Sequence, residues 1–230
     1  MDTRIYICTH KEFNPPQMDG YIPIRVGSAI AESDFSFLRD DTGDNISEKN
    51  MHFCELTGLY WIWKNVECDI AGLCHYRRFL QNEGRILERG YIEKLICEDG
   101  YDLIAPASGS TDYGTNYGHY AKVHHTSDFD ITREVLHEKY PDYDCAFELF
   151  SHTNLASLAN MVIAKKQVLD EYCEWLFDIL FEVEKRTDVS GYDAYQSRLY
   201  GYLSERLFRI WILMHGYRVR EEQVLLVDGI

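Results

Sequence analysis

Residues 54–79 constrain the fold most, because they join a helical apolar pattern directly to a strand-like one. Apolar side chains in residues 53–66 recur at helical spacing nearly all round, which predicts a buried helix. Residues 69–74 (DIAGLC) read as a buried strand and lead into the polar run HYRRF at residues 75–79. Ligands of open α/β sheets bind outside the carboxyl ends of strands, so this run predicts a ligand site.

The remaining segments alternate in the same way. Strand-like runs occupy residues 4–9, 21–26, 101–106 and 160–163, and helical patterns occupy residues 81–100, 168–184 and 192–213. Strands that alternate with helices favour a parallel sheet. We therefore expect one α/β domain with a mostly parallel central sheet flanked by helices.

Composition narrows the class of ligand. The net charge of −15 over 230 residues argues against a general nucleic-acid binder, since affinity for phosphate backbones comes from many Lys and Arg side chains. Arg77 and Arg78 are adjacent cations within this acidic chain. They fit a pocket for one small anion better than a surface for a polymer.

The cysteine pattern and the apolar segments indicate a compartment. Seven cysteines are scattered without a CxxC pair, which favours a reducing cytoplasm. The amino terminus does not have the pattern of a signal peptide, and no run reaches the roughly 20 apolar residues needed to span a bilayer. We expect a cytoplasmic protein, and docking at the inner face of the cell membrane through a few aromatic side chains stays open.

Polar side chains at the ends of predicted strands are the candidate ligand contacts. Thr9, His10 and Lys11 follow the first strand, and we expect them on the same rim as residues 75–78. Asn160 begins a later strand-like piece and could face a ligand. Residues 40–50 are polar and turn-rich, which is typical of a binding loop or of a solvated connector.

Metal motifs are weak in this sequence. Residues 128–130 and 142–144 both have the Asp-x-Asp form that can hold a divalent ion against a diphosphate. Neither follows an apolar strand, where the metal-binding version is expected. His124 and His125 are adjacent, so on a helix they point in different directions and form no two-ligand face.

The sequence also resembles a known family in seven segments, taken in chain order. They are RIYICTHK, YIPIRVGSA, GDNISEKN, CELTGLYWIWKN, GLCHYRRF, NMVIAKKQVLDEYCEWLF and RLYGYLSERL, and they cover nearly the whole chain. The family comprises bacterial proteins of capsular, exopolysaccharide and O-antigen gene clusters. It has long been called a domain of unknown function and is generally described as glycosyltransferases.

The resemblance implies a GT-A-like (Rossmann-like) fold and a nucleotide site. By similarity, Thr9, His10 and Lys11 hold the nucleoside and its diphosphate together with the loop after residue 43. The loop residues concerned are Asp44, Asn45, Ser47 and Lys49. The resemblance further implies one domain over residues 1–230, with a nucleotide-binding half (1–107) and an acceptor, lid and helical half (108–230).

Residues 75–78 lie where a GT-A enzyme usually carries Asp-x-Asp, and this departure argues against a required Mg²⁺ or Mn²⁺. Arg77 or Arg78 could instead stabilise the leaving diphosphate by bidentate contacts. Adjacent strand residues point to opposite faces, so we expect at most one arginine to reach the ligand. The structural alternative pairs one arginine with Glu55 or Glu205; Glu55 could also simply complement a helix dipole.

An inverting transfer also needs a base for the acceptor hydroxyl. Glu205 is the first candidate, followed by Asp112 and His75. An intrahelical ion pair between Glu205 and Arg209 is the structural alternative.

The implied reaction moves a sugar from a nucleotide-diphosphate donor to a growing surface polysaccharide or lipid-linked oligosaccharide. The donor expected from such gene clusters is a UDP-sugar that carries galactose in pyranose or furanose form. The alternative is a non-catalytic subunit that binds nucleotide-sugar or glycan and regulates a partner transferase.

Overall fold

The protein is described by a computed structural model that covers residues 1–32, 36–111 and 113–227. Its strands are β1 (Thr3–Thr9), β2 (Tyr21–Arg25), β3 (Leu38–Arg39), β4 (Ile70–His75), β5 (Arg78–Asn82), β6 (Arg85–Ile86), β7 (Leu103–Pro106), β8 (Gly109–Ser110), β9 (Leu155–Ala156), β10 (Val162–Lys165) and β11 (Val219–Leu226). Its α-helices are α1 (Asn50–Phe53), α2 (Leu56–Asn65), α3 (Arg89–Glu93), α4 (Asn116–Val123), α5 (Thr126–Lys139), α6 (Asp144–His152), α7 (Lys166–Arg186) and α8 (Leu199–Met214).

The central sheet is mixed. Within the described residues, nine strands pair in the order β3-β2-β1-β4-β10-β7-β11-β5-β6. The β1–β2, β1–β4, β2–β3 and β7–β11 pairs are parallel. Strand β10 runs antiparallel to both β4 and β7, and β5 runs antiparallel to β11 and β6. The prediction of a mostly parallel sheet was therefore wrong, because an apolar run marks a strand without fixing its direction.

The chain divides into two compact units. Unit 1 comprises residues 1–107, 160–173 and 217–230, and unit 2 comprises residues 108–159 and 174–216. The predicted single domain with halves 1–107 and 108–230 stays a prediction.

In unit 1, helix α2 covers one face of β1 and β4. Side chains of a strand alternate between faces, so Cys8 shares its face with its register partner His75. Gly58 of α2 lies so close that a Cβ there would sit 2.7 Å from the Cys8 sulfur. Because β4 begins four residues beyond Val66 at Ile70, α2 runs antiparallel to both strands, with its amino end at their carboxyl ends.

The polar run after β4 forms a hairpin. Tyr76 and Arg77 make a turn, and Arg78 pairs with His75 as β5 begins. Since β5 also pairs with β11, the strands β4, β10, β7, β11 and β5 form a closed ring of pairings. The helix predicted at residues 81–100 begins later, at Arg89, because the hairpin strands extend to Ile86.

Unit 2 is helical around an aromatic core. Phe129 of α5 stacks on Tyr120 at 5.0 Å and on Phe147 at 4.9 Å between ring centroids. Tyr143 stacks on Trp175 at 5.0 Å. Beside these helices, β8 and β9 form a separate antiparallel pair. Among the helices of the described residues, none combines the length and the apolarity needed to cross a bilayer.

Candidate functional site

The carboxyl end of β1 turns sharply at Thr9. The buried Thr9 hydroxyl donates to the Lys11 carbonyl at 2.5 Å and accepts from the Lys11 amide at 3.2 Å. This local loop leaves the side chains of His10 and Lys11 exposed at the edge of the sheet. The sequence thus presents a cation directly after a buried strand.

Tyr76 joins this turn to the next strand. Its backbone amide donates to the Cys8 carbonyl at 3.0 Å. The Lys11 ammonium lies 5.2 Å from the Tyr76 ring centroid, within the range of a cation–π contact. The rings of His10 and Phe13 meet the same tyrosine edge-on at 5.5 Å and 5.9 Å. Tyr76 therefore organises the side chains that follow β1.

Arg77 and Arg78 are exposed on the hairpin. The Arg77 carbonyl accepts from the Val227 amide at 3.0 Å, and Arg78 pairs with Leu226 in the sheet. The hairpin geometry differs from the expected strand end, because the chain reverses at Tyr76 and Arg77 and does not continue beyond the sheet as a loop.

Three segments that are distant in sequence meet beside the hairpin. The Asn160 side-chain amide donates to the Glu55 carboxylate at 2.7 Å. His75 Nε2 lies 3.2 Å from the Asn160 carbonyl oxygen and 3.9 Å from Glu55 Oε1. The antiparallel direction of β10 explains this meeting, since it brings the amino end of β10 to the carboxyl end of β4. We call Thr9, Lys11, Glu55, His75, Tyr76 and Asn160 the edge cluster.

Burial shapes the electrostatics under the edge cluster. Desolvation raises the pKa of the Cys8 thiol well above its usual range, and the nearby Glu55 charge adds to this rise. Desolvation likewise raises the pKa of the Cys74 thiol. Both thiols are therefore neutral, apolar support at neutral pH, and neither is an activated nucleophile.

Different residues of the polar loop before α1 lie near opposite ends of α2. Ser47 is buried, and its hydroxyl donates to Asp40 at 2.6 Å and accepts from the Ala29 amide at 3.0 Å. Asp40 also accepts from the Gly27 and Ser28 amides, which follow β2. The Lys49 ammonium lies 5.9 Å from the Phe53 ring centroid. Ser47 thus holds the loop to the end of β2.

Asp44 and Asn45 lie elsewhere. The Asp44 backbone bonds to the Asn65 side chain through both its amide and its carbonyl, at 3.2 Å and 2.8 Å. Asn65 ends α2, whose ten residues span about 15 Å, so Asp44 lies at the opposite end of this helix from Glu55. Asn45 bonds locally to Gly43 and Ser47. The structure does not bring Asp44 to the expected rim.

Glu205, the first predicted base, lies on α8 in unit 2. Its carboxylate pairs with the Arg206 guanidinium at 2.8 Å, and the Arg206 side chain is 2% exposed. Arg206 also donates to the Tyr202 carbonyl and stacks over the Tyr120 ring. The arrangement stabilises Arg206 within unit 2. Asp112, the second candidate base, lies outside the described residues.

Glu55 is the edge-cluster member that the sequence-based ligand contacts omitted, and Tyr76 lay within the predicted run HYRRF without a role of its own. Glu55 lies near the amino end of the helix predicted over residues 53–66, and the amino end of a helix that leads into a parallel strand faces the carboxyl edge of the sheet. That topological rule could have identified it. Tyr76 stands inside HYRRF, but its contacts with the turn after β1 depend on strand pairing and had no local signal.

The edge cluster offers few ligands for a divalent cation. Within the described residues, no group of three or more His, Cys, Asp and Glu side chains is arranged to hold a metal. Glu55 is the one carboxylate of the edge cluster, and it is engaged by Asn160. Mg²⁺ at phosphate sites is usually held by one or two carboxylates together with substrate phosphates and waters, and here Glu55 is the carboxylate available for that role.

Comparisons with known proteins identify relatives. No curated protein sequence matches the chain. A solved structure described as the apo form of WbbM, a bifunctional glycosyltransferase, superposes with a TM-score of 0.89 at 30% identity. The match covers 100% of this chain and 46% of that chain, so this chain spans about half the length of WbbM. The family model for a domain of unknown function, DUF4422, matches residues 4–216, and the chain therefore belongs to the DUF4422 family.

Proposed function

We propose that this chain is a glycosyltransferase that takes a sugar from a nucleotide-activated donor. The observation that carries the proposal is the likeness to WbbM, which extends over the whole of this chain at 30% identity and a TM-score of 0.89. Because the chain corresponds to only 46% of WbbM, the proposal concerns one transfer activity.

The edge cluster is the proposed donor site. It lies at the carboxyl ends of β1 and β4, where α/β sheets bind ligands. Lys11 supplies a positive charge for the diphosphate, and the Thr9 turn supplies backbone polar groups. The Tyr76 ring offers a stacking surface for a base or a sugar. His10 completes the donor contacts, and Asn160 lines the same site while its amide and carbonyl hold Glu55 and His75.

Leaving-group stabilisation is assigned to the hairpin. When the bond to the diphosphate breaks, negative charge develops on its oxygens and must be stabilised in place. Arg77 and Arg78 are exposed cations next to the edge cluster, and a guanidinium can contact two phosphate oxygens at once.

The proposed function includes a fold type, a donor and an acceptor. The fold is of the GT-A type, the donor is a UDP-sugar, and the sugar is a hexose such as galactose. The acceptor is a growing surface polysaccharide or a lipid-linked oligosaccharide at the cytoplasmic face of the membrane. Lys49, beside Phe53, extends the proposed nucleotide contacts, and the buried Ser47 supports this loop from the end of β2. A ligand bound at the edge cluster would contact Asp44 and Asn45 only if it extended along α2.

The test measures binding and turnover separately. The wild type is titrated with UDP and with a panel of UDP-sugars by calorimetry. Release of nucleoside diphosphate is then followed with and without a glycan acceptor. We expect micromolar to millimolar donor binding and acceptor-dependent release. Binding without release would favour the regulatory subunit, and no binding to any nucleotide would refute the proposal.

A matched pair of lysine variants locates the site. Lys11→Ala removes the ammonium beside Tyr76, and we expect donor affinity to fall about 10-fold, as for loss of one charged hydrogen bond to phosphate. Lys64→Ala is the control, because Lys64 makes a comparable contact with Trp63 at the other end of α2. Equal donor affinities of the two variants would contradict a donor site at the edge cluster.

A further inference from the structure

His75 is held in a defined orientation inside the edge cluster. Its side chain is 17% exposed, and that of Glu55 is 13% exposed. Asn160 is 7% exposed and contacts both, through its backbone carbonyl to His75 and its side-chain amide to Glu55. Three elements, α2, β4 and the segment before β10, thus fix one imidazole ring.

These contacts determine which ring nitrogen carries the proton. A backbone carbonyl and an ionised carboxylate can only accept hydrogen bonds. His75 Nε2 lies 3.2 Å from the Asn160 carbonyl oxygen, and a hydrogen bond between them requires hydrogen on Nε2. The Glu55 carboxylate, 3.9 Å away, favours the same form by charge. In the neutral imidazole the lone pair is then on Nδ1. The edge cluster therefore presents Nδ1 as the proton acceptor.

Glu55 also favours the product of a proton transfer. When Nδ1 takes up a proton, positive charge spreads over the ring, and the Glu55 carboxylate lies 3.9 Å from Nε2. Asn160 holds that carboxylate in place by its 2.7 Å hydrogen bond. In other enzymes, too, a carboxylate orients a histidine base and stabilises its protonated form.

We infer that His75 is the base of the transfer reaction and that Glu55 and Asn160 are its positioning residues. This inference rests on the proposed function. The acceptor hydroxyl oxygen forms a bond to the anomeric carbon, and its proton passes to Nδ1 of His75. The bond from that carbon to the diphosphate oxygen breaks, and its electron pair leaves with the diphosphate. A single displacement of this kind inverts the anomeric configuration.

The base role is tested by kinetics. In His75→Gln the side-chain amide can still donate to the Asn160 carbonyl, so the ring is replaced without loss of that contact. We expect kcat to fall at least about 100-fold, since general-base catalysis contributes about 10²- to 10⁴-fold. Donor affinity should change far less, because the proposed donor contacts come from Lys11, the Thr9 turn and the Tyr76 ring. Glu55→Gln should lower kcat about 10-fold at unchanged KM. His152→Gln is the control, because the His152 side chain is 76% exposed on unit 2.

The tautomer is tested without turnover. Two-bond nitrogen–proton correlations of uniformly ¹⁵N-labelled protein at pH 8 distinguish the two neutral forms, and His75→Gln assigns the signal. We expect the form protonated at Nε2. The form protonated at Nδ1, or full turnover by His75→Gln, would overturn the inference and leave the proposed function standing. A wild type that shows the expected tautomer but no turnover would instead refute the proposed function, and the base role with it.

Discussion

The Asn160 side-chain amide donates a 2.7 Å hydrogen bond to the Glu55 carboxylate across 105 residues of sequence. This bond ties the amino end of α2 to the segment that enters β10. It does so at the carboxyl end of β4, where His75 completes the group. The fold therefore assembles the edge cluster from segments that have no local relationship.

Removal of this bond should destabilise the protein. Asn160→Ala leaves the mostly buried Glu55 carboxylate without its amide donor, and we expect the free energy of unfolding to fall by about 1–3 kcal/mol. Urea denaturation followed by circular dichroism measures the loss. Asn154→Ala, at an exposed asparagine, is the control and should change stability by less than about 0.5 kcal/mol. A similar loss in both variants would contradict the role given to Asn160.

The buried carboxylate of Asp40 should matter more than the exposed one of Asp44. Asp40 accepts from the Gly27 and Ser28 amides and the Ser47 hydroxyl, at 2.9, 3.0 and 2.6 Å. Asp40→Ala leaves these buried donors without their acceptor. We expect the free energy of unfolding to fall by about 3 kcal/mol or more. Asp44→Ala should cost about 1 kcal/mol or less. Thermal or urea unfolding of the two variants measures these losses. Equal losses of stability would contradict the stabilising role given to the hydrogen bonds around Asp40.

Close packing of α2 on β1 gives a third prediction. In Gly58→Ala the new methyl group would lie 2.7 Å from the Cys8 sulfur and 2.9 Å from the Val26 side chain. We expect a loss of about 1–3 kcal/mol from overpacking, with a drop in turnover as Glu55 shifts. Gly90→Ala, in helix α3 with open space around it, should be neutral or stabilise by up to about 1 kcal/mol. A neutral Gly58→Ala would show that the helix adjusts freely.

The half-buried ring of His124 predicts a pH dependence of stability. Burial lowers the pKa of His124 from 6.5 to about 4. Between these values the unfolded chain binds a proton that the folded chain does not, so stability falls as pH falls from 6.5 to 4. His124→Phe keeps a ring stacked on Tyr202, 4.2 Å away in the wild type, and removes the titrating group.

Unfolding free energies of wild type and His124→Phe at pH 6.5 and at pH 4 measure this effect. The wild type should lose about 2 kcal/mol more than the variant, which is less than the full linkage value because the ring is only half-buried. Parallel pH profiles of the two proteins would contradict a lowered pKa of His124 in the fold.

Local patterns in the sequence were sufficient for the elements and for part of the site. The apolar stripe of α2 and the runs of β1 and β4 are visible because burial imposes periodicity on adjacent residues. The position of His75 at the end of β4 follows from the same patterns.

Strand direction and long-range strand pairing could not be predicted from local sequence patterns. The apolar run that forms β10 reads the same in either direction, yet its antiparallel entry is what brings Asn160 to Glu55. Asp44 illustrates the converse. Its loop has the composition of a binding loop, but Asn65 holds it at the far end of α2 by contacts between side chain and backbone that no spacing encodes.

The position of a nucleoside diphosphate in a crystal of this chain tests the central claim most directly. Crystals soaked in millimolar UDP should show the diphosphate at the carboxyl ends of β1 and β4, within hydrogen-bonding reach of Lys11 and the Thr9 turn and beside the Tyr76 ring. A well-ordered UDP bound at any other edge of the sheet, or in unit 2, would contradict the donor site proposed for this chain.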